Sequence, residues 1–398
     1  MTRHPTSSIS GRASRVLQAS LWLPIGHLAA VSLAGSLPTH PPPPSSQPQH
    51  RFVVLIPGRN EQDQVHMPIR SALASSYPAS QRRVVVVADN CSDATADRAR
   101  AEGVEVWERT DPARASKGAA VGWALERLLP KDDWDAVVFL DADAVVDADF
   151  FQVIDRRLAQ GHQVVQGERH VTNAAGSLVA RLAQMSSAAQ CVLRPRGRAR
   201  LGGAAKLVGN GMVIHRQVFG LCPWRAEGLV EDVEYWLELL ARGVHPVHEP
   251  FAMVSDLMPT HLASARVQRT RWEAGRWGLV RDRLAPLGLL AVRRRDPVLA
   301  EALVSELAFP NLSVTGGAVA LAGLARWALT GRGKRVATAQ SAVLAGHLLL
   351  SLRVSKATPA SYAALALAPL VAAWRLWVTA DAMVKRRTLG WHGTPRAP

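Results

Sequence analysis

Acidic residues follow two short β-branched runs at the points where strands would end. The run 84–88 leads into Asp89, and the run 137–140 leads into Asp141 and Asp143. In a parallel sheet the carboxyl ends of the strands share one edge, so clustered carboxylates would repel each other unless a cation lay among them. An Asp-x-Asp pair offers the hard oxygen ligands that Mg²⁺ or Mn²⁺ prefers. The alternative is that each Asp only forms a turn or caps a helix.

Further polar groups lie in the same part of the chain. In chain order they are Glu61, Lys117, Gly209-Asn-Gly-Met212, Glu231-Asp232 and Gln268-Arg-Thr-Arg-Trp272. Each of these motifs could also have a purely structural or surface role. Lys117 could be a solvated lysine at a helix start, the Glu-Asp pair could only favour a helix dipole, and 268–277 could be a basic helix on a membrane surface. The combination is more specific than any one of its parts.

In this order and with these separations, the motifs resemble those of the family 2 glycosyltransferases. The closest resemblance is to the membrane-bound branch that includes the cellulose, chitin, hyaluronan and poly-N-acetylglucosamine synthases. It covers residues 51–285, and its specific part is Asp-x-Asp together with Glu-Asp and Gln-x-x-Arg-Trp. The resemblance implies a nucleotide-diphosphate sugar donor, expected to be a UDP-sugar, and a divalent metal, Mg²⁺ or Mn²⁺.

The resemblance also implies a role for each residue of the donor site. Asp89 matches the acid that contacts the nucleotide base or ribose, with Glu61 assisting from the neighbouring strand end. Lys117 matches the basic residue that reaches the sugar or the diphosphate. Asp141 and Asp143 match the pair that binds the metal and the diphosphate, with Asp143 favoured as the direct ligand.

On the acceptor side, Asp232 matches the general base. Gln268, Arg271 and Trp272 match the motif that clamps the diphosphate and stacks on the acceptor sugar. A departing diphosphate needs neutralisation by a metal and a guanidinium, and an acceptor hydroxyl needs a carboxylate to take its proton. A single base with in-line displacement inverts the anomeric carbon, so no second carboxylate nucleophile is required.

The elements that must position these residues alternate along the chain. Short apolar runs occupy 52–56, 84–88, 104–107, 136–140 and 163–166, and helical stretches occupy 63–75, 93–102, 117–129 and 148–160. Apolar strands separated by helices are typical of a mostly parallel sheet that is covered on both faces. We therefore predict an α/β fold with a doubly wound sheet, followed by an interfacial helix and C-terminal membrane helices. The resemblance implies that this sheet is GT-A-like.

Composition shifts divide the chain into five parts. They are an N-terminal membrane or interfacial segment at 1–37, a Pro-rich linker at 38–50, the catalytic domain at 51–285, an interfacial helix with two or three transmembrane helices at 286–384, and a basic tail at 385–398. The uncharged stretches 307–325, 337–352 and 357–374 have 19, 16 and 18 residues, so the first and third could span a bilayer and the second is short. Buried helices of a soluble domain are the alternative.

Charge and cysteine content narrow the classes of function. Lys and Arg number 47 against 32 Asp and Glu, which favours anionic partners such as nucleotide phosphates and membrane lipid. Arginines flank uncharged stretches and do not alternate with aromatics, so we expect no nucleic-acid partner. We interpret the four arginines of 194–200 as part of a solvated or lipid-touching loop, with an acceptor-gating element as the alternative. Three widely spaced cysteines exclude a disulfide scaffold and a zinc module.

The resemblance thus implies a membrane-anchored, metal-dependent, hexosyltransferase-type inverting enzyme. It would transfer a sugar to a saccharide acceptor in exopolysaccharide or cell-envelope glycan synthesis. Transfer of a single sugar to a lipid, as in ceramide glucosyltransferases, and a non-catalytic basic membrane protein are the alternatives. The expected location is the inner membrane of a bacterium, with the catalytic domain facing the cytoplasm; whether residues 16–37 span or lie flat stays open.

Overall fold

The computed structural model describes residues 6–41, 47–308 and 312–385. Its strands are β1 (Phe52–Gly58), β2 (Arg82–Asp89), β3 (Glu105–Arg109), β4 (Ala136–Phe139), β5 (Val145–Val146), β6 (Val164–Val171), β7 (Met212–His215) and β8 (Val247–Asp256). They form a single sheet with the order β3-β2-β1-β4-β7-β6-β8-β5. The five predicted strand regions are therefore confirmed.

Sixteen α-helices lie in the described residues. Through the sheet region they are α1 (Thr6–Ser20), α2 (Trp22–Ser36), α3 (His66–Leu73), α4 (Thr95–Ala101), α5 (Lys117–Leu128), α6 (Phe150–Ala159), α7 (Leu178–Ser187), α8 (Arg194–Arg200), α9 (Arg216–Leu221) and α10 (Glu231–Ala241). Beyond it are α11 (Leu262–Arg294), α12 (Pro297–Leu303), α13 (Leu312–Thr330), α14 (Lys334–Val354), α15 (Pro359–Ala363) and α16 (Ala368–Lys385). The π-helical segment Ala188–Leu193 joins α7 to α8, and a second π-helical segment, Val304–Ala308, follows α12.

Strand β1 explains why the sheet is covered on both faces. Successive side chains of a strand point to opposite sides. Val53 and Leu55 belong to a core with α5 and α10, whereas Val54 and Ile56 belong to a second core with α3 and α6. All four side chains are buried. The doubly wound arrangement follows from this continuous apolar run.

The sheet is parallel in one half and mixed in the other. Strands β1, β2, β3 and β4 run parallel, whereas β7 is antiparallel to both β4 and β6. Strand β8 runs parallel to β6, and β5 is antiparallel to β8. The sequence pattern did not predict β5, β7 or β8. The first two have only two and four residues, and β8 contains His248, Glu249 and Pro250 in place of a continuous apolar run.

The segment 194–200 is helix α8, so the predicted solvated or lipid-touching loop is wrong. Arg194 and Arg198 are buried there. Arg198 forms ion pairs with Glu301 at 2.7 Å and with Glu306 at 3.3 Å, and Arg194 pairs with Glu306 at 3.0 Å. These acids lie on α12 and in the π-helical segment after it, about a hundred residues along the chain. The local sequence of 194–200 therefore gave no indication that its charges would be paired.

Helix α2 packs closely on α8. A Cβ atom at Gly35 would lie 2.3 Å from the carbonyl oxygen of Leu193, and one at Gly197 would lie 2.0 Å from that of Val31. Only glycine permits the two backbones to approach to this distance. The N-terminal helices are thus attached to the sheet domain by direct packing.

Three helical segments have the length and composition of membrane spans: Ser10–Ser36, Leu312–Thr330 and Pro359–Val384. Helix α14, which contains the shorter uncharged stretch 337–352, is not among them in the described chain. The predicted interfacial helix is the second half of α11, a single helix of 33 residues that continues through Pro286. Parts of four predicted segments lie outside the described residues: 1–5 of the N-terminal segment, 42–46 of the linker, 309–311 of the segment with the membrane helices, and 386–398 of the tail.

Candidate active site

A cleft of about 410 Å³ opens at the carboxyl ends of β1 and β4. These strands are parallel neighbours, so the residues that follow them, Glu61 and Asp141, reach the same edge of the sheet. Strand β7 is antiparallel to β4 and enters at that edge, which brings Gly209 to the cleft. Helices α10 and α11 contribute residues from the opposite wall. The site lies where a doubly wound sheet binds its ligands.

Eight of the nine predicted site residues line this cleft: Glu61, Lys117, Asp141, Asp143, Asp232, Gln268, Arg271 and Trp272. They come from segments that are separated by up to about two hundred positions in the chain. The topology of the sheet, and not proximity in sequence, brings them together.

Asp89 is the ninth predicted residue, and it is not among the described residues that line the cleft. It ends β2 and is fully buried. Arg109 Nη1 donates to its Oδ1 at 2.5 Å, and Asn90 Nδ2 donates to its Oδ2 at 2.9 Å. Arg109 also pairs with Asp111 at 2.7 Å. Asp89 therefore fixes the turn after β3, and its contact with a nucleotide base or ribose stays a prediction.

Asp141 and Asp143 occupy the turn after β4. Asp143 is 1% exposed, and its Oδ2 accepts a hydrogen bond from the Leu257 amide at 3.2 Å. Asp141 is partly exposed, and its amide donates to Asn210 Oδ1 at 3.3 Å. Among the residues that the structure describes, no three or more His, Cys, Asp or Glu side chains form a metal-binding group. Two carboxylates below an open cleft suit Mg²⁺ or Mn²⁺, since such ions take the remaining ligands from phosphates and water.

Lys117 links the two acidic parts of the site. Its Nζ lies 2.5 Å from Asp141 Oδ1 and 3.3 Å from Glu231 Oε1. Burial opposes the charged form, but the carboxylates of Asp141 and Glu231 outweigh it and raise the pKa of Lys117. Its position is set by the start of α5, where Ser116 Oγ accepts a hydrogen bond from the Ala119 amide at 3.1 Å. The lysine therefore carries its charge between the acids.

Two glycines allow the chain to close around Lys117. Gly209 has a φ of +75°, and a Cβ there would lie 3.2 Å from Lys117 Nζ and 3.3 Å from Asp232 Oδ2. A Cβ at Gly118 would lie 2.0 Å from the carbonyl oxygen of Ala226. Larger residues at these positions would push apart the loops that carry Lys117 and Asp232.

Glu231 and Asp232 open helix α10 and also face the cleft. Acids in the first turn stabilise a helix, so the structural role considered from the sequence is present as well. Burial raises the pKa of both carboxyls, and Lys117 only partly offsets this effect. The pKa of Glu231 rises to about 7. A carboxylate with a raised pKa is a more effective general base near neutral pH than an ordinary one.

The first half of α11 supplies the third group of predicted residues. Gln268, Arg271 and Trp272 line the cleft, and Gln268 is buried. The Arg269 guanidinium lies 5.2 Å from the centre of the Trp272 ring. The same helix continues into the basic segment predicted to be interfacial. The motif predicted to clamp the diphosphate and the predicted interfacial segment are therefore parts of one helix.

Several cleft residues were not predicted as site residues: Arg169, Gln190, Cys191, Lys206, Glu231, Arg269 and Arg276. One sequence signal was available, because Arg269, Trp272 and Arg276 have the i, i+3, i+7 spacing of one helix face. Arg169 and Lys206 have no such signal. Arg169 pairs with Asp256 at 2.5 Å, and Lys206 pairs with Glu306 at 3.2 Å, so their partners are distant in sequence.

Comparison with known proteins gives relatives of two kinds. Over 228 residues the chain is 27% identical to a beta-monoglucosyldiacylglycerol synthase of Trichormus variabilis, covering 56% of this chain and 48% of the relative. Over 238 residues it is 25% identical to a poly-beta-1,6-N-acetyl-D-glucosamine synthase of Staphylococcus aureus, covering 57% and 55%. The chain thus spans about half the length of these curated relatives.

A solved structure shares the fold over almost the whole chain. It is a mannosyltransferase of Pyrobaculum calidifontis in complex with GDP-Man and Mn²⁺, with a TM-score of 0.61, 15% identity, and coverage of 94% of this chain and 99% of that one. The GT-A-like fold is thereby confirmed. Residues 48–275, more than half of the chain, match the family described as Glycosyltransferase like family 2. The predicted resemblance is confirmed, and the chain belongs to glycosyltransferase family 2.

Proposed function

We propose that this chain is a membrane-anchored inverting glycosyltransferase that moves a sugar from a nucleotide-diphosphate sugar to a saccharide or lipid acceptor. One observation carries the proposal. Asp141, Asp143 and Asp232 converge in a single cleft with Arg271 and Trp272, from three separate parts of the chain. This set contains a pair for a cation, a base for a hydroxyl, and an arginine with an aromatic ring for a phosphorylated sugar.

The donor diphosphate would lie above Asp141 and Asp143. These carboxylates would hold a divalent cation, which neutralises negative charge on the leaving diphosphate when it is bound. Arg271 would bind two phosphate oxygens with its planar guanidinium. The complex of the Pyrobaculum mannosyltransferase with GDP-Man and Mn²⁺ supports a nucleotide sugar and a divalent metal as ligands. We take the donor to be a UDP-sugar.

The base end of the donor would lie towards β1 and β2. Glu61 lines the cleft there, and Asp89 holds Arg109 and the turn beyond it. Lys117 is positioned to reach a sugar or diphosphate once a ligand competes for Asp141. In this arrangement Asp89 acts on the nucleotide mainly by shaping the turn that borders it.

Asp232 would take the proton of the acceptor hydroxyl as that oxygen bonds to the anomeric carbon. The bond from this carbon to the diphosphate breaks on the opposite face, so the configuration inverts. Lys117 and Glu231 set the charge around Asp232, and Gly209 leaves room beside it. Trp272 would stack on the apolar face of a sugar.

The apolar helices support a location of this chemistry at a membrane. The segments Ser10–Ser36, Leu312–Thr330 and Pro359–Val384 have the length and composition to anchor the chain. The two relatives described above are bacterial, and their names cover a lipid product and a polysaccharide product. We propose the bacterial inner membrane, with the cleft facing the cytoplasm, and a role in cell-envelope glycan or glycolipid synthesis.

Membranes that contain the full chain can be supplied with a panel of labelled nucleotide sugars, and the products analysed by mass. We expect one donor to give transfer that the Asp232→Asn variant loses by roughly 10²–10⁴-fold, with donor affinity nearly unchanged. Wild-type turnover in this variant would remove Asp232 from the mechanism. A wild-type chain that binds no nucleotide sugar would support the non-catalytic alternative.

A further inference from the structure

Two arginines beside the cleft form no ion pair with a carboxylate in the described part of the chain. Arg269 lines the cleft and lies against the ring of Trp272. Arg375 is 9% exposed, and the hydrogen bond of its guanidinium goes to Ser186 Oγ at 2.9 Å. The carboxylate of Glu273 attracts both guanidinium groups, but it also pairs with Arg276 at 3.3 Å. Glu273 therefore supplies one negative charge to three arginines, and the cluster keeps an excess of positive charge.

The other arginines nearby are neutralised. Arg169 pairs with Asp256 at 2.5 Å, and Arg276 pairs with Glu273 at 3.3 Å. Burial and then the like charge of Arg375 lower the pKa of Arg269, and the carboxylate of Glu273 only partly opposes this effect. An unpaired buried charge is costly for a folded protein. A bound anion would offset that cost.

The position of Arg375 indicates where such an anion comes from. Arg375 lies on α16, within the candidate membrane span Pro359–Val384. At 1.5 Å per residue, it lies about 14 Å along the helix from the end of that span. The end of α16 lies beside the first turns of α11, where Arg266 pairs with Asp381 at 3.3 Å. An ionisable side chain in a membrane span marks a ligand or pathway more often than a packing site. A ligand that contacts both arginines must reach from the membrane into the cleft.

We propose that Arg269 and Arg375 bind the phosphate of an anionic membrane lipid and that this lipid is the acceptor of the transferred sugar. The inference rests on the proposed function and narrows its acceptor to one class. The donor phosphates are assigned above to a different set of residues, Asp141, Asp143 and Arg271. A neutral lipid would leave both guanidinium groups unpaired.

The transfer step then involves a hydroxyl group of the lipid headgroup. Its oxygen bonds to the anomeric carbon while the bond from that carbon to the diphosphate breaks. The hydroxyl proton goes to Asp232, and the nucleoside diphosphate leaves with the electron pair of the broken bond. The headgroup phosphate keeps its charge throughout, so the product is an anionic glycolipid.

Lipid binding can be measured apart from sugar transfer. The full chain, purified in detergent, is titrated with phosphatidylglycerol, which has both a phosphodiester and free hydroxyls, and retained lipid is counted by native mass spectrometry. Phosphatidylcholine and free glycerol phosphate are the comparison probes. We expect Arg269→Gln and Arg375→Gln each to weaken phosphatidylglycerol retention about tenfold or more, as loss of a charge-assisted hydrogen bond would. Arg269→Lys and Arg375→Lys should keep part of it.

The matched control is Arg281→Gln. Arg281 lies on the same helix α11, is exposed, and pairs only with its neighbour Asp282 in the described structure. It should bind phosphatidylglycerol like the wild type. If the Arg269→Gln and Arg375→Gln variants both behaved like this control, or if free glycerol phosphate bound as well as the lipid, the lipid site would be disproved.

Vesicles test the acceptor role separately. The chain is reconstituted in phosphatidylcholine with and without one part in five of phosphatidylglycerol, and labelled product is extracted and run on an anion exchanger. We expect organic-soluble, anionic product only with phosphatidylglycerol. Neutral or water-soluble product would overturn the acceptor assignment while leaving glycosyltransfer intact. Failure of the donor to bind, measured by calorimetry in the same preparation, would instead refute the proposed function.

Discussion

Lys117 Nζ lies 2.5 Å from Asp141 Oδ1, so the chain places its own cation on the first acid of the Asp-x-Asp pair. Asp143, the second acid, is buried and accepts a backbone hydrogen bond from Leu257. The lysine neutralises one carboxylate while the other faces the cleft. A divalent cation arriving with a diphosphate would have to share or displace this contact.

We therefore expect donor binding to depend on a divalent cation, because Asp141 and Asp143 would otherwise meet a diphosphate with like charge. Calorimetric titration of the nucleotide sugar with and without Mg²⁺ or Mn²⁺ measures this, and chelation should abolish transfer. Asp143→Asn should lose the cation dependence. Asp147→Asn, four positions along and not among the described residues of the cleft, is the control and should keep it. Equal affinity with and without cation would count against the metal site.

The second prediction concerns Glu231, whose pKa burial raises to about 7. A carboxyl whose pKa is raised on folding stabilises the fold below its unfolded pKa, and this contribution is lost as the pH rises through the folded value. For Glu231 this window runs from about pH 4.5 to about pH 7. Thermal unfolding should show that Glu231→Gln gains stability relative to the wild type between pH 5 and pH 8. The Asp232→Asn variant should show a smaller pH effect, because it removes the like charge beside Glu231.

Trp272 separates a sugar-stacking role from a membrane-surface role. Trp272→Leu keeps apolar area but loses the flat ring, so transfer should fall about tenfold, the factor for about 1.4 kcal/mol, while membrane association survives. Trp277→Leu is the matched control on the same helix, since Trp277 is not among the described residues of the cleft. Equal transfer in the two variants would indicate that α11 serves only as a surface helix.

Arg271 tests whether geometry or charge alone matters at the diphosphate. Lysine keeps the charge but lacks the planar fork that binds two phosphate oxygens. Transfer by Arg271→Lys should therefore fall by about tenfold or more, whereas Arg281→Lys at the exposed site on the same helix should transfer normally. An active Arg271→Lys enzyme would argue that only the positive charge is needed.

The last prediction concerns attachment of helix α2 to the sheet domain. Gly35→Ala places a Cβ 2.3 Å from the carbonyl oxygen of Leu193, so we expect about 1–3 kcal/mol of destabilisation. Gly26→Ala on the same helix is the control, because nothing described lies within 4 Å of a Cβ there. Unfolding in detergent, followed by tryptophan fluorescence, compares the two. Similar stability would show that α2 and α8 can separate without cost.

The sequence alone determined the parallel half of the sheet and eight of the residues that line the cleft. The runs that became β1, β2 and β4 are apolar on both faces, which only a covered sheet accommodates. Polar residues directly after such runs must reach one edge. For this reason Asp141 and Asp143 were placed correctly without coordinates.

The tertiary structure decided which charged side chains line the cleft and which form ion pairs in the interior. Asp89 follows its strand as Asp141 does, yet Arg109 pairs with it in the interior, whereas Asp141 reaches the cleft and meets Lys117. The arginines of α8 were predicted to be solvated or in contact with lipid. Two of them are buried, and they form ion pairs with acids about a hundred residues away in the chain. Ion pairs depend on distances between segments, and local patterns contain no information about such distances. For the same reason, the sequence shows Arg375 only as an isolated arginine in an apolar stretch. Its proposed role with Arg269 can be inferred only from the packing of α16 beside α11.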